Sequence, residues 1–507
     1  MSRFGPSVDG SLTTLGVVAA GVIALSVVAL QQGGGTVTEA VGPGTSVAGT
    51  TQQEMSRTDG TTTTTTGKNG AKTVAGGKTV SGAVSGPGVA PEVANGTCNS
   101  SNNGGKTDRG VSATSIKLGA TVVQSGIGAS FLGPVRVALN AVKNDVNRSG
   151  GICGRMLELK LVDDGWDANR GFQFIQNLVQ SDNVFALAVN PSSEGVRVAS
   201  IGGYFGKTRT PVVGSDGMLN DQYLDPWVWP IAASTVSSMH VMAHDACKRL
   251  NKKNFSIVFD NKYHFGVEGA FAFNAAVKRC TGKDIPGYFN PKTGGGCSAR
   301  FCAITAGQTS YDTENKAWND ACFGGAGSDK CDFVALLLEP NEAVNFLRNG
   351  TQIEVTKGMA QTLFNRDFAS RCGSICDDAM VWTGYYPPIE QFAAMPAVKK
   401  YVSTVRGESP DVDVTNQFLE GGYAGMQLLV DALKRVGPNL TRDRLKATLD
   451  GMDLDIGLTT PLRWRPGNHL ANASMRAFAI QYKGGFNGFR SVTGWIRDPY
   501  LGLDMER

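Results

Sequence analysis

Between Ile116 and Asp164 the chain reads strand, helix, turn and strand. Ile116–Val122 is the first strand. The stretch 134–147 places Val135, Ala138, Leu139, Val142 and Val146 on one face at the i, i+3, i+4 spacing of a helix. Ser149-Gly150-Gly151-Ile152-Cys153-Gly154-Arg155 then turns the chain. Leu157–Val162 alternates apolar and polar residues and ends on Asp163-Asp164. A strand pair joined through a helix is a parallel pair, so the fold is α/β. In such sheets ligands gather outside the carboxyl ends of the strands, which makes the polar residues after each strand the first suspects for function.

A chain of 507 residues is long enough for two or more cores. Leu12–Leu30 carries no charge and roughly matches a bilayer core of ~30 Å. Arg3 precedes it and the next cation is Arg57, which predicts residues 1–11 inside the cell and the remainder outside. The segment reads as a retained anchor or a cleaved signal peptide. The first leaves the protein membrane-anchored; the second leaves it secreted. Residues 31–112, with Gly33–Gly35 and Thr61–Thr66, hold too little apolar surface to offset their ordering entropy and read as a disordered stalk. The net charge of +4 is spread without a basic run, so nucleic acid is not an expected partner.

The even count of ten cysteines suits an oxidising compartment. Cys297 with Cys302, Cys322 with Cys331, and Cys372 with Cys376 are natural local pairs. Cys247 and Cys280 lie near the ends of two predicted helices flanking one strand and are placed to pair. Cys98 and Cys153 are left by elimination, and their bond would tie the end of the linker to the first lobe. Metal is the competing reading, but no C-x-x-C occurs and the spacings fit no zinc pattern. His240 and His244 are spaced i, i+4, yet no Glu follows His240 and no third ligand is evident. No metal or cofactor is expected.

Strand–helix alternation continues through 168–181, Val184–Val189 and Pro211–Val213, then restarts after about 234 with the strand Phe255–Phe259, a helix over about 267–279 and the apolar strand Phe333–Leu338. The Gly- and Cys-rich stretch 283–331 reads as an insertion stapled by disulfides. Met380–Thr383, a helix over 416–436, and the strands Arg476–Tyr482 and Gly488–Ile496 complete the pattern. The restart implies two Rossmann-like lobes with a cleft between them. The division is 113–235 and 386–465 for lobe 1, and 236–385 and 466–507 for lobe 2.

This layout resembles the type I periplasmic binding proteins, in particular the branch that binds leucine, isoleucine and valine for ABC transporters. The residues that carry the resemblance are Gly133, Ala138-Leu139, Asp145-Val146-Asn147, Gly150-Gly151-Ile152-Cys153-Gly154-Arg155, Leu157-Glu158-Leu159 and Asp163-Asp164. Asp163 and Asp164 read as structural, ending the strand and capping the next helix. The resemblance implies that Ser192 and Ser193, with Gly214, Ser215 and Asp216, hold a ligand carboxylate. It implies Tyr263 as a contact in the second lobe, Glu339 bordering the cleft, and Asp378 receiving a ligand ammonium. An Asp at that position, where amino-acid binders often have Glu, is a departure.

The implied function is delivery of a small polar solute, an amino acid of branched-chain type or an amide, to an ABC transporter permease by cleft closure. A membrane-anchored sensor ectodomain of the same fold is the alternative. No G-x-S-x-G, H-E-x-x-H or P-loop occurs, so an enzyme is not expected.

Overall fold

Two sheets take up nearly all the strands. The computed structural model describes residues 98–215, 218–288, 296–324, 329–348 and 355–501, and these lie in one compact unit. Strands β1 (Ser115–Val122), β2 (Met156–Asp163), β3 (Ala186–Ala188), β4 (Val212–Ser215) and β5 (Val228–Pro230) form the first sheet in the order β2-β1-β3-β4-β5. All its pairings are parallel. Strands β6 (Phe255–Asp260), β7 (Phe301–Ile304), β8 (Phe333–Leu337), β9 (Thr356–Met359) and β10 (Met380–Thr383) repeat that winding as β7-β6-β8-β9-β10, again parallel. A short ribbon, β11 (Asp453–Leu454) with β12 (Leu462–Arg463), stands apart. β13 (Ser474–Tyr482) adds antiparallel to β10 and carries β14 (Phe486–Ser491) and β15 (Ile496–Arg497). The apolar strands Ala186–Ala188, Phe255–Asp260 and Phe333–Leu337 are buried along their whole length, as expected where helices cover both faces of a parallel sheet.

The helix Val135–Arg148 buries Val135, Ala138, Leu139, Ala141 and Val142, the face expected from its spacing. Gly150 and Gly151 leave it at φ +90° and +75°, a backbone region open to glycine. The helix Gln417–Val436 is capped by the Asn416 side chain, which accepts from Phe418 and Leu419 N–H. Asn416 also donates to Phe131 O, 3.0 Å away, which fastens this late helix to the first lobe.

Two expectations need correction, and the disulfide-stapled stretch 283–331 holds more order than its composition suggests: it supplies β7 and the helix Asp312–Phe323 of the second winding. Its edge strand is only four residues long among Gly, Cys and polar residues, too short for periodicity to show. The stalk does not run to 112. Residues 98–112 form an arm against lobe 1, where buried Arg155 donates to the carbonyls of Asn103, Gly105 and Ser112. Nor does the Asp163-Asp164 pair cap the next helix. Asp167 does, accepting from Arg170 N–H at 2.8 Å.

All five disulfides join the cysteines that local spacing and elimination paired. Cys98–Cys153 pins the arm to the turn before β2. Replacing both with serine is expected to cost about 2–4 kcal/mol, measured as a lower urea midpoint, with faster trypsin cleavage at exposed Lys106. Leu12–Leu30 and the stalk up to residue 97 lie outside the described residues. Among the described residues no helix is long and apolar enough to cross a membrane.

Candidate functional site

In each sheet the winding reverses beside its first strand, between β1 and β3 and again between β6 and β8. Ligands of open α/β sheets bind at such switch points, outside the carboxyl ends of the strands. The chain leaves β3 through Val189 at φ +62° and Asn190 at φ +51°. A β-branched residue is strained there, and such strain is kept where the surroundings over-determine it. Asn190 supplies the restraint: its side chain accepts from Thr121 N–H at 2.7 Å and donates to Thr121 Oγ1 at 2.9 Å, locking the end of β3 to β1.

Ser192 and Ser193 follow and are fully buried. Ser192 Oγ donates to Asp164 Oδ1 at 2.8 Å, and Trp166 N–H donates to the same oxygen at 2.9 Å. Trp166 Nε1 donates to Ser193 Oγ at 3.1 Å. Burial pushes the Asp164 carboxyl up to about 6 against the pull of these donors. Ser215 at the end of β4 donates to Gln222 Oε1 at 3.1 Å, so it meets the Ser192–Ser193 group only through Gln222, whose amide reaches Ser193 O at 3.5 Å. Gly214 has a packing role. At φ +80°, a Cβ there would lie 2.4 Å from Gly425 Cα, so glycine lets the helix Gln417–Val436 approach β4. Asp216 lies outside the described residues.

Across the cleft, β6 ends at buried Asp260, which accepts from Lys262 N–H at 2.7 Å. β8 leads to Glu339, whose two oxygens accept from Glu342 N–H at 2.8 Å and Asn341 N–H at 3.0 Å and so cap the helix Pro340–Arg348. Burial raises the Glu339 carboxyl to about 7. Desolvation also raises Asp260, and it raises Glu342 with added repulsion from Asp260 and Glu339. Burial pushes the Tyr263 hydroxyl up to about 12, helped by the negative field of Asp260, Glu342, Glu194 and Glu339.

The two faces touch. Trp166 of lobe 1 stacks on Tyr263 of lobe 2 with ring centroids 4.0 Å apart, and Phe265 stacks on the same indole at 5.7 Å. Glu194 accepts from His264 N–H at 2.9 Å and lies 2.8 Å from its Nδ1. Glu268 accepts from Asn220 N–H at 3.1 Å. The lobes therefore stand closed. Toward the crossover a cavity of about 10 Å³, room for about one water, remains between Val189, Pro191, Gln361, Tyr385 and Gln417. A much larger concavity of about 1010 Å³ lies at the amino end of β6, where Cys247–Cys280 and the lysines at 248, 252, 253 and 283 line it. It is at the wrong end of the strands for a switch-point ligand.

Asp378 is not in the cleft. It precedes β10, at the amino end of that strand, with its side chain 81% exposed and 3.5 Å from Arg490. Its neighbour Asp377 accepts from Tyr482 N–H at 2.8 Å on the same edge. The strand after Asp378 runs parallel to β9, so its carboxyl end, not Asp378, faces lobe 1. Sequence reasoning missed Trp166, Asp260, Glu342 and Glu194. Trp166 and Asp260 had the needed signal, since each lies at or just after the end of a strand.

Two lobes of identical winding, clasped at facing switch points, define a two-lobed binding protein. A family model described as periplasmic binding protein matches residues 115–298 and 324–485, and the chain belongs to that family, one of solute-binding proteins of the type I fold and not an enzyme family. The family places the protein outside the cytoplasm. Among solved structures, a possible leucine/isoleucine/valine-binding protein from Rhodopirellula baltica SH 1 is 18% identical with a TM-score of 0.61, covering 75% of this chain and 96% of that one. A fatty acid ABC transporter substrate-binding protein from Thermomonospora curvata is 17% identical with a TM-score of 0.64, covering 78% and 95%. An ABC transporter solute-binding protein from R. palustris in complex with 4-hydroxybenzoate is 13% identical with a TM-score of 0.62, covering 77% and 99%. At these identities the likeness is one of fold. A search among curated proteins gives no significant match.

Proposed function

We propose that this protein captures a small polar solute between the Asp164–Trp166–Ser192–Ser193 face and the Asp260–Tyr263–Glu339 face, closes over it, and hands it to an ABC transporter permease. The observation that carries this reading is the contact of the two switch points through Trp166, Tyr263 and the Glu194–His264 pair. The solved relatives that take isoleucine, a fatty acid and hydroxybenzoates support a small organic ligand. Amino acids of branched-chain type and amides are the classes to test first. Leu12–Leu30 serves as membrane anchor or export signal in this proposal. A sensor ectodomain is the second reading, favoured by the arm 98–112, which ties the incoming chain to lobe 1 alone.

The full-length protein, screened with amino acids, amides and aromatic acids, is expected to gain melting temperature with its ligand. At a hundredfold excess over Kd the gain is about 2.7 kcal/mol. Asp260→Asn should abolish that gain while the protein still unfolds cooperatively. A melting temperature indifferent to every member of the panel would count against solute binding.

A further inference from the structure

The large concavity at the amino end of β6 takes no part in the cleft. Its volume is about 1010 Å³, and three stretches of chain converge on it: the end of the helix Thr235–Lys248 with the loop after it, the loop after the helix His264–Thr281, and the entry to β7. Lys248, Lys252, Lys253, Lys283 and Arg300 line it against Asp284 and Asp329, a balance of +3. Asp284 is already answered by residues outside the lining, accepting from Lys278 at 2.9 Å and from Asn274 at 2.8 Å. None of the four lysines has a carboxylate partner among the described residues. Cations near a helix end commonly answer its C-terminal carbonyls. Two such ends amount to about one negative charge, which leaves about two positive charges unanswered. The wall itself is fixed. Cys247–Cys280 joins the two helix ends. Asp332 accepts from Lys253 and Asn254 N–H at 2.9 and 3.0 Å, and Asn274 accepts from Ile285 N–H at 2.8 Å. The lysine stems start from a set backbone, so a ligand has only their side chains to order.

We propose that this concavity binds a small polyanion bearing two or more phosphate groups, at a site separate from the interlobe cleft. A lysine ammonium is a compact point charge that binds phosphate, whereas planar recognition of a carboxylate favours the arginine fork. Arg300 does not offer that fork, because its guanidinium is turned to the carbonyls of Ala321 and Asp329. Lys248, Lys252 and Lys253 stand on one side, before β6, and Lys283 on the other, after the helix His264–Thr281. A single phosphate therefore leaves part of the charge unanswered, and linked phosphates reach both sides. The volume lies at the upper end of the range for small-ligand sites. A free solute and a lipid headgroup present the same phosphate chemistry to these lysines. What the cleft binds does not bear on this site.

Titration calorimetry on the full-length protein at pH 7 compares tripolyphosphate with orthophosphate and with citrate, an anion whose charges are carboxylates. Tripolyphosphate should bind one per chain, at least tenfold more tightly than either, and more weakly as salt rises. Lys252→Ala combined with Lys283→Ala should weaken it at least tenfold. Lys399→Ala combined with Lys434→Ala removes two exposed lysines from the helices Pro396–Glu408 and Gln417–Val436 and should leave it unchanged. Thermal unfolding without phosphate checks that both double variants fold. Flotation with phosphatidylcholine liposomes, with and without cardiolipin, separates the two sources. Capture by the cardiolipin liposomes that the Lys252–Lys283 variant loses assigns the phosphates to a lipid; tripolyphosphate binding without capture assigns them to a free solute. Equal losses in the two double variants would reduce the effect to net charge and overturn the site. Citrate or orthophosphate bound as tightly as tripolyphosphate, or no binding of tripolyphosphate, would overturn it too, and each leaves the cleft reading untouched.

Discussion

Gly214→Ala is expected to destabilise the protein by about 3–5 kcal/mol, combining left-handed backbone strain with backbone overlap. The residue sits at φ +80°, and an added Cβ would meet Gly425 Cα, C and O at 2.4–2.6 Å. Both neighbours are backbone, so neither side yields by changing rotamer. β4 and the helix Gln417–Val436 must part, and the Val189–Ser192 loop packs beside that helix. Thermal unfolding should show a fall of roughly 6–20 °C for a lobe of this size. Gly203→Ala is the control. It has φ +61° with nothing within 4 Å of the added carbon, so it carries the backbone strain of about 1–2 kcal/mol alone. Equal losses in the two variants would show that the contact with Gly425 contributes nothing.

Stability is expected to fall as pH rises from about 4.5 to 8. Glu339 has an ordinary value of 4.5 that desolvation raises to about 7 in the folded protein, and Asp164 rises from 3.8 to about 6. The folded state thus holds these protons more tightly than the unfolded chain. Their contribution is complete below about pH 4 and is lost as pH passes through 6 to 7. Each accounts for about 3 kcal/mol at most. Urea unfolding at pH 4.5, 6, 7 and 8 measures the slope. Glu339→Gln should flatten its upper part. At low pH the variant should lose about 1 kcal/mol, because one of the two cap acceptors is gone. A wild-type curve that climbs with pH over this window would refute the buried protonation of these groups.

The sequence alone carried the first lobe well and the second less well. The helix 134–147 and the strands around it announce themselves through periodicity, and the second lobe was legible from Phe255–Phe259 and Phe333–Leu338 because buried parallel strands are apolar throughout. β7 and β9 escaped. Each is four residues long, and β9 reads Thr-Lys-Gly-Met, in which no pattern can form. At the site, Ser192 and Ser193 were nominated by their place after a strand, and the structure sets them at the switch point. Asp378 was nominated by a local likeness that does not register strand direction. The chain enters β10 at Asp378, and entry and exit of a strand lie at opposite edges of the sheet.

Local order in the chain determines the α/β class, the strand–helix alternation of the first lobe and its restart in the second, the five disulfide pairs and the burial of each apolar strand, because all of these follow from periodicity and spacing. Partnership across the cleft is a matter of tertiary structure. Trp166 meets Tyr263, and Glu194 meets His264, over separations of tens of residues that leave no periodic trace. Whether a buried serine can serve a ligand depends on where its proton already goes. The Ser192 proton goes to Asp164, a residue that precedes it by a full helix and strand. The cluster of buried carboxyls around the Trp166–Tyr263 stack, with their raised protonation, exists only once folding has brought these residues together and removed their water.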